Sequence, residues 1–108
     1  MAKYLFQANY KTEGLKGLLK EGGVSRRKHL VSLVESLGGT LESFYYAFGD
    51  TDVYAIADLP DHTSSSALSL IINASGTFSF KTVVILTPEE WDAATQKSVD
   101  YPPPGQYI

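Results

Sequence analysis

The segment 25–29, which reads Ser-Arg-Arg-Lys-His, is the part of this sequence that most suggests binding chemistry. Three cations in the first turn of a predicted helix oppose the helix dipole, which favours acidic residues there. At 100° per residue, Arg26 lies within the inward-facing stripe of Leu30, Leu33 and Leu37. An arginine on this stripe, beside backbone N–H groups without partners, predicts a site for a carboxylate or a phosphate. The alternative is a structural arginine whose stem covers apolar surface while its head pairs with an acidic residue.

Two carboxylates, Asp50 and Asp52, stand at i and i+2 in the turn between two predicted strands. Such a pair can divide the roles of general acid and base when the two environments differ. In a tight turn, however, aspartate usually bonds the backbone of the turn itself, and we favour that role. If Arg26 is structural, we expect Asp52 to be its partner. If the protein is an enzyme, its proton carrier would be His29, Asp52 or a tyrosine.

Several classes of function are excluded or disfavoured by what the sequence contains. The chain has no cysteine, which excludes disulfides, thiolate metal sites and cysteine nucleophiles. The two histidines, His29 and His62, lack metal-ligand spacing, and no nucleotide-binding glycine motif is present, so we expect neither a metal nor a cofactor. A net charge of −3 argues against a nucleic-acid partner. No apolar run resembles a signal peptide or a membrane span, and we expect a cytoplasmic protein without membrane contact.

The elements that would position these residues follow the order β-α-β-β-α-β. Strand patterns occur at residues 4–10, 40–48, 53–59 and 77–86. Helical patterns begin near Thr12, with a break at 22–23 and a restart at the N-cap Ser25, and again after the N-cap Asp61. A further short helix is expected after Pro88. This order predicts an α+β, ferredoxin-like βαββαβ fold, with a four-stranded antiparallel sheet and the helices on one face.

The C-terminal residues have a different composition from the rest of the chain. Residues 101–105 read Tyr-Pro-Pro-Pro-Gly, which forbids helix and favours extended polyproline II. We favour a loosely held tail. The alternative is an arm across a partner subunit, anchored by Tyr101, Tyr107 and Ile108. The chain thus divides into a single domain at 1–97 and a Pro-rich tail at 98–108.

Bulky apolar residues are predicted on both faces of the sheet. Simple alternation in the second strand places Phe44, Tyr46 and Phe48 on one face and Leu41, Tyr45 and Ala47 on the other. A face left uncovered by helices would be a large apolar patch, which either a second subunit or a ligand cavity must cover. We therefore expect a homodimer with the two sheets packed face to face in a barrel-like arrangement. On this interpretation, Phe80→Asp should disrupt the dimer.

Several short motifs follow one another along residues 3–87. The motifs are Tyr10-Lys11-Thr12-Glu13-Gly14-Leu15, Arg26, Leu37-Gly38-Gly39, Tyr45-Tyr46, Gly49 with Asp52, Pro60-Asp61, and Gly76. In these motifs the chain resembles the GYD-domain family. One departure is Thr51, which replaces the aromatic residue of the family's Gly-Tyr-Asp signature. If that aromatic lines a pocket, specificity differs here, and Tyr46 or Tyr54 would compensate.

The resemblance implies a place in the dimeric α/β-barrel group, which agrees with the predicted fold. That group includes cofactor-independent oxygenases, isomerases, haem-binding proteins and ligand-binding modules, so the fold assigns no activity. Our leading hypothesis is a homodimer that binds a small organic or anionic molecule between sheet and helices. The candidate ligand-contacting residues are Arg26, Tyr10, Tyr46, Tyr54, Asp52 and His29. The alternatives are a cofactor-independent enzyme of the oxygenase or isomerase type and a structural dimer without a ligand.

Overall fold

A computed structural model describes residues 1–105 of the chain. Its elements are β1 (Ala2–Tyr10), α1 (Thr12–Glu21), α2 (Gly23–Ser36), β2 (Thr40–Tyr46), β3 (Val53–Leu59), α3 (His62–Ala74), β4 (Phe78–Ile85) and α4 (Pro88–Thr95). The strands form one sheet in the order β2-β3-β1-β4, and every neighbouring pair is antiparallel. This is the strand order of the ferredoxin-like fold, so the predicted fold class is confirmed.

The core lies between one face of the sheet and helices α2 and α3. Alternate residues of β1 and β3 point to this face and are almost fully buried, because the side-chain period of a strand is two. Val34 of α2 and Leu68 of α3 pack against them. The cluster consists of Tyr4, Phe6, Val34, Ala55, Ala57, Leu59 and Leu68. Each large apolar side chain in such a position stabilises the fold by roughly 1.5–3 kcal/mol.

A β-bulge in β2 changes which residues share a face. Leu41 pairs with Ala57, but the next pair is Ser43 with Ile56, so one residue of β2 has no partner. The extra residue brings Leu41 to the same face as Phe44, toward the helices. The predicted placement of Leu41 opposite Phe44 is therefore wrong.

Two further sheet predictions need correction. Phe48 lies beyond the end of β2 and is fully exposed, so it belongs to neither face. Phe80 pairs with Ala8 and packs against the core on the helix side. Phe80→Asp would accordingly disturb the interior of one subunit and cannot test a dimer formed through the other face.

The junction between α1 and α2 is sharper than the sequence pattern predicts. Gly22 has a φ of 86°, a conformation that glycine adopts at little cost, and it ends α1 and caps α2. The new helix begins at Gly23, and the backbone N–H of Arg26 donates to the Gly22 carbonyl at 3.3 Å. The predicted N-cap at Ser25 is therefore wrong. Asp61 does cap α3 as predicted, since its carboxylate accepts from the backbone N–H of Ser64 at 2.8 Å.

The second face of the sheet, here called the open sheet face, is not covered by α2 or α3. Its apolar side chains are Leu5, Tyr45, Tyr54, Ile56, Val83 and Ile85. At one end of this face, Lys3 Nζ lies 2.8 Å from a Glu42 oxygen and 3.1 Å from an Asp58 oxygen. The prediction that bulky apolar residues occur on both faces is thus confirmed.

Residues 88–105, here called the C-terminal arm, extend away from the sheet and its helices. A capping box starts α4, in which the Thr87 hydroxyl accepts from the Glu90 N–H and the Glu90 carboxylate accepts from the Thr87 N–H. No residue of α4 is buried, and Trp91 remains 64% exposed. The molecule is consequently elongated, with extents of 62 × 31 × 24 Å.

Candidate functional site

A cavity of about 240 Å³ lies between the sheet and helices α2 and α3, and it opens to solvent. Its walls are mostly apolar. The lining side chains include Ala8, Leu30, Leu33, Phe44, Val53, Ile71, Ile72, Phe78 and Phe80. Polar groups reach it from Tyr10, Arg26, Tyr46, Ser75 and Thr77. A concave apolar space with a few convergent polar groups is the usual form of a small-molecule site.

Arg26 reaches this cavity from the first turns of α2, as the helical stripe predicts. Its guanidinium carbon lies 5.7 Å from the centre of the Phe78 ring, which the arginine covers as a cation–π partner. Its Nη1 lies 3.6 Å from a Glu21 carboxylate oxygen at the end of α1. The prediction that Asp52 is the structural partner of Arg26 is therefore wrong. A guanidinium that is one-third exposed and held by a partly solvated partner remains available to an anionic ligand.

Tyr10 and Tyr46 stand beside Arg26 on the cavity wall. Burial raises the pKa of Tyr10 well above its ordinary value, and its interaction with the Tyr46 hydroxyl raises it further. Burial also raises the pKa of Tyr46, against the opposing effects of the Tyr10 hydroxyl and the Arg26 charge. Both phenols are therefore neutral near pH 7. The Tyr10 hydroxyl can donate a hydrogen bond to an anion, and neither phenol can serve there as a base.

A close contact with the helix backbone fixes the position of Tyr46. Its hydroxyl donates to the Gly23 carbonyl at 2.8 Å. A Cβ atom on Gly23 would lie only 2.8 Å from the Tyr46 ring, so the glycine permits this approach. The start of α2 therefore positions both Arg26 and the tyrosine at the same end of the cavity.

Three other candidate residues lie outside this cavity. Tyr54 pairs with Tyr45 on the open sheet face, so the sheet separates its side chain from Arg26. Asp52 accepts a hydrogen bond from the Tyr10 backbone N–H at 3.0 Å, which joins the hairpin turn to the end of β1. His29 is mostly exposed, and its Nε2 lies 3.6 Å from Glu21. Of the two residues named as substitutes for the missing family aromatic, Tyr46 is the one at the cavity.

Sequence reasoning missed several residues of the site. Glu21 was overlooked because it lies on a different helix, and only the turn at Gly22 brings it to Arg26. Ser75 and Thr77 flank Gly76 at the end of α3, and their hydroxyls are 2.6 Å apart at the cavity edge. The signal that could have identified these two residues is Gly76, which has a φ of 73°. A glycine that ends a helix turns the chain and brings its two neighbours together.

Two findings concern metals and membranes. Within residues 1–105, no group of three or more histidine or acidic side chains is placed to hold a metal ion. No helix in the same range combines the length and the apolar character needed to cross a bilayer.

The sequence profile of the GYD domain matches residues 4–95, which is most of the chain. The chain belongs to the GYD domain family. This match includes β1 from Tyr4 onward, the other three strands, the cavity and α4, and it leaves out the Pro-rich tail. No curated protein and no solved structure matches the chain. Membership of the GYD family does not by itself assign an activity, so the function must be argued from the cavity.

Proposed function

We propose that this GYD domain protein is a homodimer that binds a small organic anion in the cavity between the sheet and helices α2 and α3. The observation that carries the proposal is the position of Arg26, whose guanidinium reaches an otherwise apolar cavity beside two neutral phenols. The ligand we propose has one apolar ring or a short branched chain, joined to a single carboxylate.

The size of the cavity supports a ligand of this kind. An apolar cavity of roughly 150 Å³ is large enough for benzene. A cavity of about 240 Å³ therefore has room for one ring and a carboxylate, but not for a nucleotide. Leu30, Phe44, Ile72 and Phe80 supply the apolar walls on which the ring would lie. Transfer of the ring from water to these walls would provide the main favourable free energy, at roughly 25 cal/mol per Å².

The polar end of the cavity supports an anion. The planar guanidinium of Arg26 matches the two oxygens of a carboxylate, and a hydrogen bond to a charged group contributes about 1.5–3 kcal/mol. Tyr10 keeps its proton and can donate to the same oxygens, while the Tyr46 hydroxyl donates to the Gly23 carbonyl. Glu21 would compete for Arg26, but this carboxylate is 40% exposed and its nearest oxygen is 3.6 Å away. A bound carboxylate at ordinary hydrogen-bond distance would displace it.

The geometry favours binding over catalysis. The two phenols hold their protons near neutral pH, so they are poor bases. Asp52 is engaged by the Tyr10 backbone and His29 points toward Glu21, so neither is aimed into the cavity. Of the three kinds of proton carrier that the sequence named, only tyrosine lies at the cavity, and the raised pKa values of Tyr10 and Tyr46 make both poor bases.

The open sheet face supports the homodimer. Leu5, Ile56 and Val83 lie next to one another across three strands on a face that α2 and α3 do not cover. Covering this face with the same face of a second copy would remove the apolar patch from water. Two sheets stacked in this way would give the barrel-like arrangement, with one cavity on the outer side of each sheet.

Calorimetric titration with three probes tests the ligand class. Benzoate has the ring and the charge, benzyl alcohol has the ring alone, and acetate has the charge alone. We expect benzoate to bind at least about tenfold more tightly than either analogue, because only benzoate uses both ends of the cavity. A native mass spectrum of the freshly purified protein would give the mass of a natural ligand that remains bound.

Two variants locate the binding. Arg26→Gln should weaken benzoate binding by about ten- to a hundredfold and leave benzyl alcohol unchanged. Lys28→Gln, two residues away on the exposed side of α2, removes the same charge and should change neither affinity. Equal affinities of the wild type for all three probes, or unchanged benzoate binding in Arg26→Gln, would overturn the proposal.

A further inference from the structure

The C-terminal arm carries large apolar side chains that are mostly exposed to solvent. Trp91 is 64% exposed, Val99 is 79% exposed and Tyr101 is 66% exposed. The capping box fixes the start of α4, and the prolines at 102–104 restrict the backbone of the arm near its end. An ordered segment that presents several apolar groups to water is typical of one that docks on a partner.

The size of the open sheet face indicates what that partner is. Four strands about 4.8 Å apart, each about eight residues long at 3.4 Å per residue, span roughly 500 Å². A stable interface buries about 800 Å² of accessible surface on each partner, and the exposed side chains of the arm would add to what the sheet faces bury. Trp91 and Tyr101, each about two-thirds exposed, would bury a further 200–300 Å² or so. The arm would thus enlarge a dimer interface formed through the open sheet face.

Charge also favours a second copy. Residues 88–105 contain four acidic side chains and one lysine, so the arm carries the whole net charge of −3 and the rest of the chain is neutral. Lys81 is an exposed cation on β4 at the open sheet face, and it makes no ion pair within residues 1–105. An acidic arm from a second copy would give Lys81 a partner at the margin of this face.

We propose that the C-terminal arm of each subunit packs on the second subunit at the margin of its open sheet face, with Trp91 and Tyr101 as its apolar anchors. This inference rests on the proposed homodimer and extends it, because it makes the arm a necessary part of the interface. Tyr107 and Ile108, which the sequence also suggested as anchors, lie outside the residues that the structure describes.

Trp91 reports directly on the arm, because it is the single tryptophan of the chain. The experiment measures light-scattering mass and tryptophan emission on the same full-length samples over a dilution series. We expect a dimer mass and blue-shifted, quencher-protected emission at high concentration. On dilution, the emission should shift to that of a solvent-exposed tryptophan in step with the fall in mass.

The other outcomes are distinguishable from one another. A dimer whose Trp91 emits as an exposed residue at every concentration would overturn the proposed packing of the arm and leave the homodimer proposal intact. A monomer at every concentration would overturn both proposals. Protected emission that does not change as the mass falls would mean that the arm folds on its own subunit, which also overturns the inference.

Substitutions test the energetic role of the arm. Trp91→Ala should raise the dimer dissociation constant about tenfold or more, since tryptophan is enriched among interface hot spots. Lys81→Glu should also weaken the dimer, and this effect should fall with rising salt. The matched controls are Leu19→Ala and Lys20→Glu, which change exposed residues of α1 and should leave the dissociation constant unchanged. Equal effects in the test and control variants would contradict the proposed interface.

Discussion

Substitution of Arg26 by glutamine separates a structural role from a binding role. In the free protein, the guanidinium has two partners, a Glu21 oxygen at 3.6 Å and the Phe78 ring at 5.7 Å. Glu21 is 40% exposed and Arg26 is one-third exposed, so solvent screens their attraction and the pair contributes about 0.2–1 kcal/mol. A cation–π contact that is partly exposed contributes about 0.5–1 kcal/mol.

We therefore expect Arg26→Gln to lower the free energy of unfolding by about 1 kcal/mol, because Glu21 can be solvated once its partner is gone. Thermal denaturation should show a decrease in Tm of about 4–8 °C for a loss of this size. Breaking a buried ion pair would cost about 3–5 kcal/mol. A loss in that higher range would contradict this expectation, since it would show that Arg26 mainly stabilises the fold.

A double-mutant cycle with Glu21→Gln isolates the ion pair. The coupling energy between the two substitutions should be no more than about 1 kcal/mol and should shrink as salt is added. The control is Lys16→Gln on α1, whose side chain is 65% exposed and pairs with Glu13 instead. That substitution should show no coupling to Arg26→Gln.

Three further predictions concern helix docking and pH. Gly14→Ala should destabilise the fold by about 1–3 kcal/mol, because its Cβ would lie 2.0 Å from the Thr77 carbonyl oxygen. Gly17 lies three residues further along the same helix and faces open space, so Gly17→Ala should stabilise the fold by about 0.5–1 kcal/mol. Urea denaturation of the two variants compares their free energies of unfolding. Because the pKa of Tyr10 is raised by folding, stability should fall as the pH rises above about 10, and less steeply in Tyr10→Phe. The Ser64 N–H lowers the pKa of Asp61, so stability should fall as the pH drops below about 4, with Asp61→Asn abolishing this component in an acid titration.

Much of the fold could be predicted from local patterns. The strand at 53–59 has the predicted bounds, the second and third strands form the predicted antiparallel pair, and Asp61 caps its helix. Alternation, short connections and capping residues are local signals, so a single sequence carries them. The bulge after Leu41 was missed because an extra residue in a strand reverses the alternation without a distinct residue type to mark it.

The site was less predictable than the fold. Helical periodicity placed Arg26 inward because one helix face is a local property. The pairing of Arg26 with Glu21 depends on the angle between α1 and α2. The backbone conformation of Gly22 sets this angle, and the composition of the sequence does not reveal it. Tyr54 was grouped with Tyr10 because both are aromatic, although strand pairing puts them on opposite faces of the sheet. The partly buried hydrogen bond between Tyr4 and His62, 2.6 Å long, joins residues 58 positions apart and had no local signal.

The central claim is that a small organic anion binds between the sheet and helices α2 and α3. The most direct measurement is a titration of isotopically labelled protein with benzoate, followed by amide NMR shifts. We expect saturable shifts that cluster at the cavity, at Ala8, Tyr10, Arg26, Phe44 and Phe80, and that disappear in Arg26→Gln. Saturable shifts confined to the open sheet face, or no saturable shift at any residue, would contradict it.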